Sequence, residues 1–267
     1  MYKLLLATDQ RDIQNVFSEI DDWESRGFRG PRVVSSAQEA IACLEKHHVD
    51  AIAFCLKAQE EAELYQKLKE SYPDLPIFQT ARNAAKQLAI VNDLRLLLNR
   101  THLDFSNDDY SLADMMTLCR HEFMHNLLAG QISDTESALS KMSLLRCRFA
   151  ADKPCVLLDM ELPQGDEYLA GRWHYGSERL EVALRNFFGA ELGTLQFYVA
   201  VATPNLIRLL ACPPVGEDTA QEEESLTGMV VEHVQEAILQ IRDYLDLEMR
   251  IVNIRVLKNP VVLAQQP

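Results

Sequence analysis

The sequence predicts an α/β protein in two modules, a parallel sheet with helices first and an antiparallel sheet with helices second. Three observations carry this. Short apolar runs alternate with amphipathic helical segments through residues 3–80, the pattern of a parallel sheet with crossover helices. Residues 154–257 read strand, helix, two strands joined by a turn, helix, strand. Charge is also uneven: residues 1–105 hold 13 basic and 16 acidic residues, and residues 106–267 hold 13 and 24. The expected division is a first module over 1–105, a helical connector over 106–150, and a second module over 151–267.

Composition removes several classes. The 267 residues carry a net charge of −14, and acid excess opposes nucleic-acid binding by this chain alone, because phosphate neutralisation needs clustered Lys and Arg. No apolar run reaches the ~20 residues needed to span a bilayer, and the opening MYKLLLATDQRD lacks the form of a signal peptide. The six cysteines, at 43, 55, 119, 147, 155 and 212, contain no C-x-x-C pair. The simplest reading is a thiol-bearing cytoplasmic protein with no membrane partner and no cofactor.

In the first module, Leu4-Leu5-Leu6-Ala7 reads as a buried strand ending at Thr8-Asp9. Ile13, Val16, Phe17, Ile20 and Trp23 give a helix over 12–24. Residues 31–35 form a second strand, and Ser35-Ser36 cap the helix marked by Ala37, Ala40, Ile41 and Leu44. Residues 51–56 are the third strand. Leu64, Leu68 and Tyr72 mark a helix closed by Pro73, residues 76–80 a fourth strand, and residues 83–100 a further helix with no fifth strand. Functional groups of such a sheet sit at the carboxyl ends of its strands, which places Thr8, Asp9, Cys55 and Thr80 together. Cys55 reads as a buried small hydrophobe or, with a lowered pKa, a redox switch.

Leu112, Met115, Met116, Leu118, Phe123, Leu127 and Leu128 mark a connector helix, and Ser133-Asp-Thr-Glu136 is a capping box that starts a second. The stripe containing Met115, Leu118, Phe123 and Leu127 is a candidate homodimer face, with packing inside its own chain as the alternative. The same helix holds His121-Glu122-Phe123-Met124-His125, an H-E-x-x-H with the spacing of a zinc hydrolase. No third histidine follows until His174.

The second module reads as strand 154–162, helix 177–188 stopped by Gly189, strand 194–203, turn Pro204-Asn205, strand 206–211, helix 223–245 and strand 249–257. This order is the ferredoxin-like arrangement. Asp159 and Glu161 alternate on its first strand, the pattern of a solvated face. The acidic run from Glu217 to Glu224 favours the next helix's amino end. Trp173-His174-Tyr175 is a candidate ligand or partner surface, with packing as the alternative.

These residues resemble a known family. Tyr2-Lys3-Leu4-Leu5-Leu6 and Trp23-Glu24-Ser25-Arg26-Gly27-Phe28 are similar to receiver domains of AraC-type response regulators, and the likeness covers about residues 1–80. It implies a flavodoxin-like sheet. In that family two acids and a phosphate-accepting Asp hold Mg²⁺ at the carboxyl end, where this chain has Thr8-Asp9 and Cys55. Thr80 falls at the family's switch Ser/Thr. The resemblance therefore implies a pseudo-receiver that takes no phosphate. Arg120-His-Glu-Phe-Met-His-Asn-Leu-Leu-Ala-Gly130 is similar to the helix after that receiver, where no zinc is held. The second module resembles a degenerate GGDEF (cyclase-like) domain. Its central hairpin, Ala202 to Leu206, lacks the signature, and Gln164-Gly165-Asp166-Glu167-Tyr168 looks like that signature after the wrong strand. The expectation is a non-enzymatic two-component-type signalling or transcription regulator, homodimeric and acting through a protein partner. Two other readings stay open: the regulatory piece of a DNA-binding regulator without its helix-turn-helix, and a metal-dependent hydrolase using the H-E-x-x-H.

Overall fold

A computed structural model of the chain describes residues 1–103, 111–215 and 223–265. The loop at 104–109 and the acidic run from Glu217 to Glu222 lie outside the described residues. The chain divides into two compact units, Met1–Arg120 with Ser140–Cys147, and His121–Leu139 with Arg148–Pro267. The expected connector is therefore shared between the units. Helices α5 (Leu112–Leu128) and α6 (Thr135–Leu144) each supply one end to each of them.

The first unit is built on a three-stranded parallel sheet in the order β2-β1-β3. Strand β1 (Leu4–Thr8) is central, and all five of its residues are buried, as a strand covered on both faces must be. It pairs with β2 (Arg32–Val34) and β3 (Ala51–Cys55). The connecting helices are α1 (Arg11–Ser18), α2 (Ala37–Lys46), α3 (Ala58–Ser71) and α4 (Ala84–Leu103). At α2, Ser36 accepts a hydrogen bond from Glu39 N at 3.2 Å, and Glu39 accepts one from Ser35 N at 2.8 Å. These bonds satisfy backbone donors that a helix start leaves open, and the bonds from the Ser35 N–H and hydroxyl hold the Glu39 carboxyl below its ordinary value.

Two expected elements are shorter than the periodicity suggests. Helix α1 ends at Ser18, and the chain turns at Asp22, whose φ is +61°. Trp23 then folds back to stack on Phe17, with ring centroids 6.1 Å apart, so its apolar spacing records the same core without the same helix. The expected fourth strand over 76–80 is a single parallel bridge, Ile52 with Ile77. The buried side chain of Gln87 takes the groups a longer strand would have used: Ala81 N donates to its Oε1 at 2.6 Å, and its Nε2 donates to Gln79 O at 3.2 Å.

The second unit contains a five-stranded antiparallel sheet in the order β5-β6-β7-β4-β8. Its strands are β4 (Cys155–Glu161), β5 (Glu191–Leu192), β6 (Leu195–Thr203), β7 (Leu206–Cys212) and β8 (Arg250–Leu257). A short turn α7 (Gly165–Glu167) runs into a π-turn over Tyr168–Arg172. Helices α8 (Ser177–Phe188) and α9 (Glu223–Leu245) cover one face. Leu158 and Met160 of β4, Val199 of β6, Leu184 of α8 and Val234 of α9 belong to one core cluster. Gly189 stops α8 with a φ of +78°, a conformation that costs glycine little. Helix α6 starts one residue later than its capping signature suggests, because Asp134 accepts from Ser137 N at 2.6 Å. Among the described residues, no helix is long and apolar enough to cross a membrane.

The end of the first unit is tied down by two arginines. Arg120 Nε donates to Leu145 O at 2.7 Å, and its Nη2 pairs with Asp74 at 3.0 Å. Arg146 donates to Leu75 O at 3.2 Å and lies over the Tyr65 ring at 5.5 Å; burial pulls its pKa below the ordinary value. Burial also pushes the neighbouring Cys147 thiol from the ordinary 9.0 up to about 12, against the smaller opposing pull of Arg120. The folded chain keeps this proton where the unfolded chain releases it. The contribution is present below pH 9.0 and is lost as pH rises towards 12. Thermal melts between pH ~8 and ~11 should show an alkaline decline in stability that is shallower, by about one proton, in Cys147→Ala. Equal slopes would contradict the assignment.

Candidate functional site

The carboxyl end of the parallel sheet brings Thr8 and Cys55 together as expected. Thr8 and Cys55 are register partners on β1 and β3. The fully buried Thr8 donates from Oγ1 to Cys55 O at 2.8 Å, accepts from Gln10 N at 3.1 Å, and its carbonyl accepts from Gln14 Nε2 at 3.1 Å. Asp9 is exposed at the start of the loop into α1, and Cys55 and Thr80 are half-buried. Thr80 follows the single bridge at Ile77 and is not on a strand. The donor set does not fit Mg²⁺. That cation takes oxygen ligands, usually carboxylates and waters, whereas here one carboxylate stands beside a thiol and a hydroxyl already engaged with backbone.

The candidate dimer stripe is used inside the chain. Met115, Phe123 and Leu127 are 5%, 4% and 0% exposed, and only Leu118 of the four is open, at 49%. The alternation of buried residues along α5 comes from packing within the chain, so this stripe is not a free dimer face.

The H-E-x-x-H also resolves differently. His121 and His125 lie alongside Glu181 and Arg185 of α8, which have the same i, i+4 spacing. His125 Nδ1 is 2.8 Å from Glu181 Oε2, and Arg185 Nη1 is 2.6 Å from His121 Nδ1. A guanidinium beside the first histidine puts positive charge where a zinc ion would need to approach it. Glu181 is committed as well: it accepts from Val201 N at 3.1 Å, at the irregularity between Val201 and Thr203 where the β6–β7 ladder breaks. Among the described residues, no group of three His, Cys, Asp or Glu is placed to hold a metal ion. In this arrangement the motif is a contact between α5 and α8.

On β4 the two acids differ from expectation and from each other. Asp159 is buried and is held by Arg208 Nε at 3.1 Å, Asn253 Nδ2 at 3.2 Å and Arg255 Nη2 at 3.2 Å. Arg208 Nη1 also donates to Leu128 O at 2.7 Å, at the carboxyl end of α5, where positive charge suits the helix dipole. Breaking a buried pair by removing one partner costs about 3–5 kcal/mol. The exposed Glu161–Arg250 pair, 2.6 Å apart, is worth ~0–1 kcal/mol. Asp159 is therefore a structural anchor and neither a solvated acid nor a metal ligand. Its partners are invisible in sequence until the β4–β7 and β4–β8 registers are known.

The aromatic cluster is half structural. Trp173 stacks on Tyr168 with centroids 6.3 Å apart and donates from Nε1 to Gly176 O at 2.8 Å. Tyr175 meets Trp173 edge-on and remains 63% exposed, with Arg179 over its other contact surface at 5.7 Å. His174 is exposed. Trp173 serves packing, and Tyr175 and His174 are the open members.

Compared with known families and curated proteins, the chain matches none.

The sequence reading did not anticipate the role of Gly165-Asp166. Their backbone N–H groups reach Asn205 Oδ1 at 2.9 and 3.3 Å, and Asn205 Nδ2 donates to Asp166 Oδ2 at 2.7 Å. Leu162 N donates to Asn205 O at 3.0 Å. The loop after β4 is thus latched onto the β6–β7 turn. Only glycine fits, because a Cβ at 165 would lie 1.8 Å from Pro204 O. Gly165→Ala should lower stability by about 2–4 kcal/mol in denaturant unfolding, since backbone and not a flexible side chain must move. A change under ~0.5 kcal/mol would show that the loop relaxes without the latch.

Proposed function

We propose that this chain is a non-enzymatic regulatory protein of the two-component type, acting in the cytoplasm through contacts with a protein partner. In this reading the first unit is a receiver-like, flavodoxin-like module that has lost phosphoryl chemistry. The second is a ferredoxin-like module related to nucleotide cyclases that has lost its catalytic hairpin. Fold likeness alone does not establish a role, so the reading rests on the sites.

The observation that carries it is the closed carboxyl end of the parallel sheet. Phosphoryl transfer to a receiver needs an Asp at the end of β3 and a metal held by flanking acids. Cys55 offers neither, and Thr8 bonds across to its carbonyl at 2.8 Å. The second unit supports the same direction. In an active cyclase the hairpin between β6 and β7 would carry glycines and acids; here Pro204-Asn205 make the turn, and Asn205 is spent on the latch to Gly165 and Asp166. The carboxylate on β4, Asp159, is spent on Arg208 and Arg255. At both places, groups that such an architecture would use, Thr8 in one unit and Asp159 and Asn205 in the other, are engaged in internal bonds, which suits a module read by a partner.

Incubation with acetyl phosphate and Mg²⁺, followed by intact mass spectrometry, should leave the mass unchanged. A stable phosphoryl adduct mapped to the segment containing Cys55 or Asp9 would overturn the proposal.

A further inference from the structure

The opposite, amino end of the parallel sheet carries a feature that the regulatory reading does not use. A cleft of about 410 Å³ opens there, lined by Lys3, Arg29, Arg32, Lys46, His47 and His48. These come from three separate segments: the start of β1, the approach to and first residue of β2, and the end of α2 with the turn into β3. Six of the ten lining residues are basic and none is acidic, in a chain where acids outnumber Lys and Arg by 40 to 26. Composition alone would put the reverse charge there.

The cations are also uncompensated. Arg120, Arg172, Arg208, Arg250 and Arg255 each have a carboxylate partner. Among the described residues, Lys3, Arg29, Arg32 and Lys46 have no carboxylate within ion-pair distance. The nearby acid is Asp50, whose side chain is 8% exposed. It accepts from the Lys3 backbone N–H at 2.6 Å and contacts His48 Nε2 at 2.9 Å. Lys46, in the last turn of α2, meets the negative end of that helix's dipole. Arg32 reaches only the Cys43 sulfur, at 3.6 Å. Like charges gathered around one cleft repel one another, and an anion seated among them would remove that repulsion.

We propose that this cleft binds a small anion bearing two phosphoryl groups. The volume is in the range of small-molecule sites, roughly 300–1,000 Å³. Two guanidinium forks match phosphate oxygens in pairs, and two ammonium groups supply point charges. Four formal cations balance a diphosphate better than a single phosphate. The overall charge of −14 disfavours a large polyanion, whose field would extend past the cleft onto acidic surface.

The test is calorimetric titration of the full chain with inorganic pyrophosphate, without divalent metal. The expected result is one saturable site with a dissociation constant below about 1 mM at low salt. Arg29→Ser with Arg32→Ser should weaken it at least ~10-fold, as should Lys46→Ser to a lesser degree, while the exposed Lys69→Ser changes it less than ~2-fold. Unchanged melting curves will show that the variants fold. A nucleoside diphosphate binding as tightly as pyrophosphate places recognition in the phosphates alone; tighter binding adds a contact to the nucleoside. Absence of saturable binding, equal weakening by Lys69→Ser, or orthophosphate binding as tightly as pyrophosphate would overturn the proposal.

Discussion

The bond from Thr8 Oγ1 to Cys55 O, 2.8 Å long, is the constraint on which the first unit's chemistry depends. It joins the ends of two parallel strands that share five register pairs. A buried hydroxyl must find partners, and leaving one unmet costs about 1–3 kcal/mol. Thr8 meets that demand from backbone alone, giving to Cys55 O and receiving from Gln10 N. Carboxylates at the same place could not do so; their charge would call for a cation. With a threonine at this end the backbone meets the need without a cation. Nearby backbone is completed the same way: Leu56 N donates to Glu61 at 2.9 Å, ahead of and within the first turn of α3.

The second unit follows the same rule with charges. Asp159 sits on a strand flanked by β7 and β8, and both neighbours supply a guanidinium to it. Glu181 closes a gap in the β6–β7 ladder through Val201 N and meets His125. Asn205 closes the turn against Gly165. Asp159, Glu181 and Asn205 are each engaged in holding backbone or another charge.

What was legible in the sequence was what periodicity and capping report. Helix α8 runs from Ser177 to Phe188 with Gly189 as its stop, and α9 spans Glu223–Leu245, both as the spacing indicates. The strand order of the second sheet agrees with the strand–helix–hairpin–helix–strand reading. What was not legible depended on tertiary partners. Trp23 keeps helical spacing but belongs to a turn, because stacking on Phe17 needs only proximity. Gln87 bonds the backbone of Gln79 and Ala81 in place of a longer strand, and no local pattern reveals that. His121 and His125 carried a metal signature that Arg185 and Glu181 turn into packing. The basic cleft was hidden because its cations are far apart in sequence, at 3, 29, 32 and 46, and only the parallel sheet gathers their segments.

On the proposed reading, the carboxyl end of the first sheet is chemically closed. Amide shifts of the full chain titrated with Mg²⁺ and then beryllofluoride test it most directly. No saturable shift is expected at Thr8, Asp9 or Cys55. Saturable, Mg²⁺-dependent shifts at those three residues would contradict it.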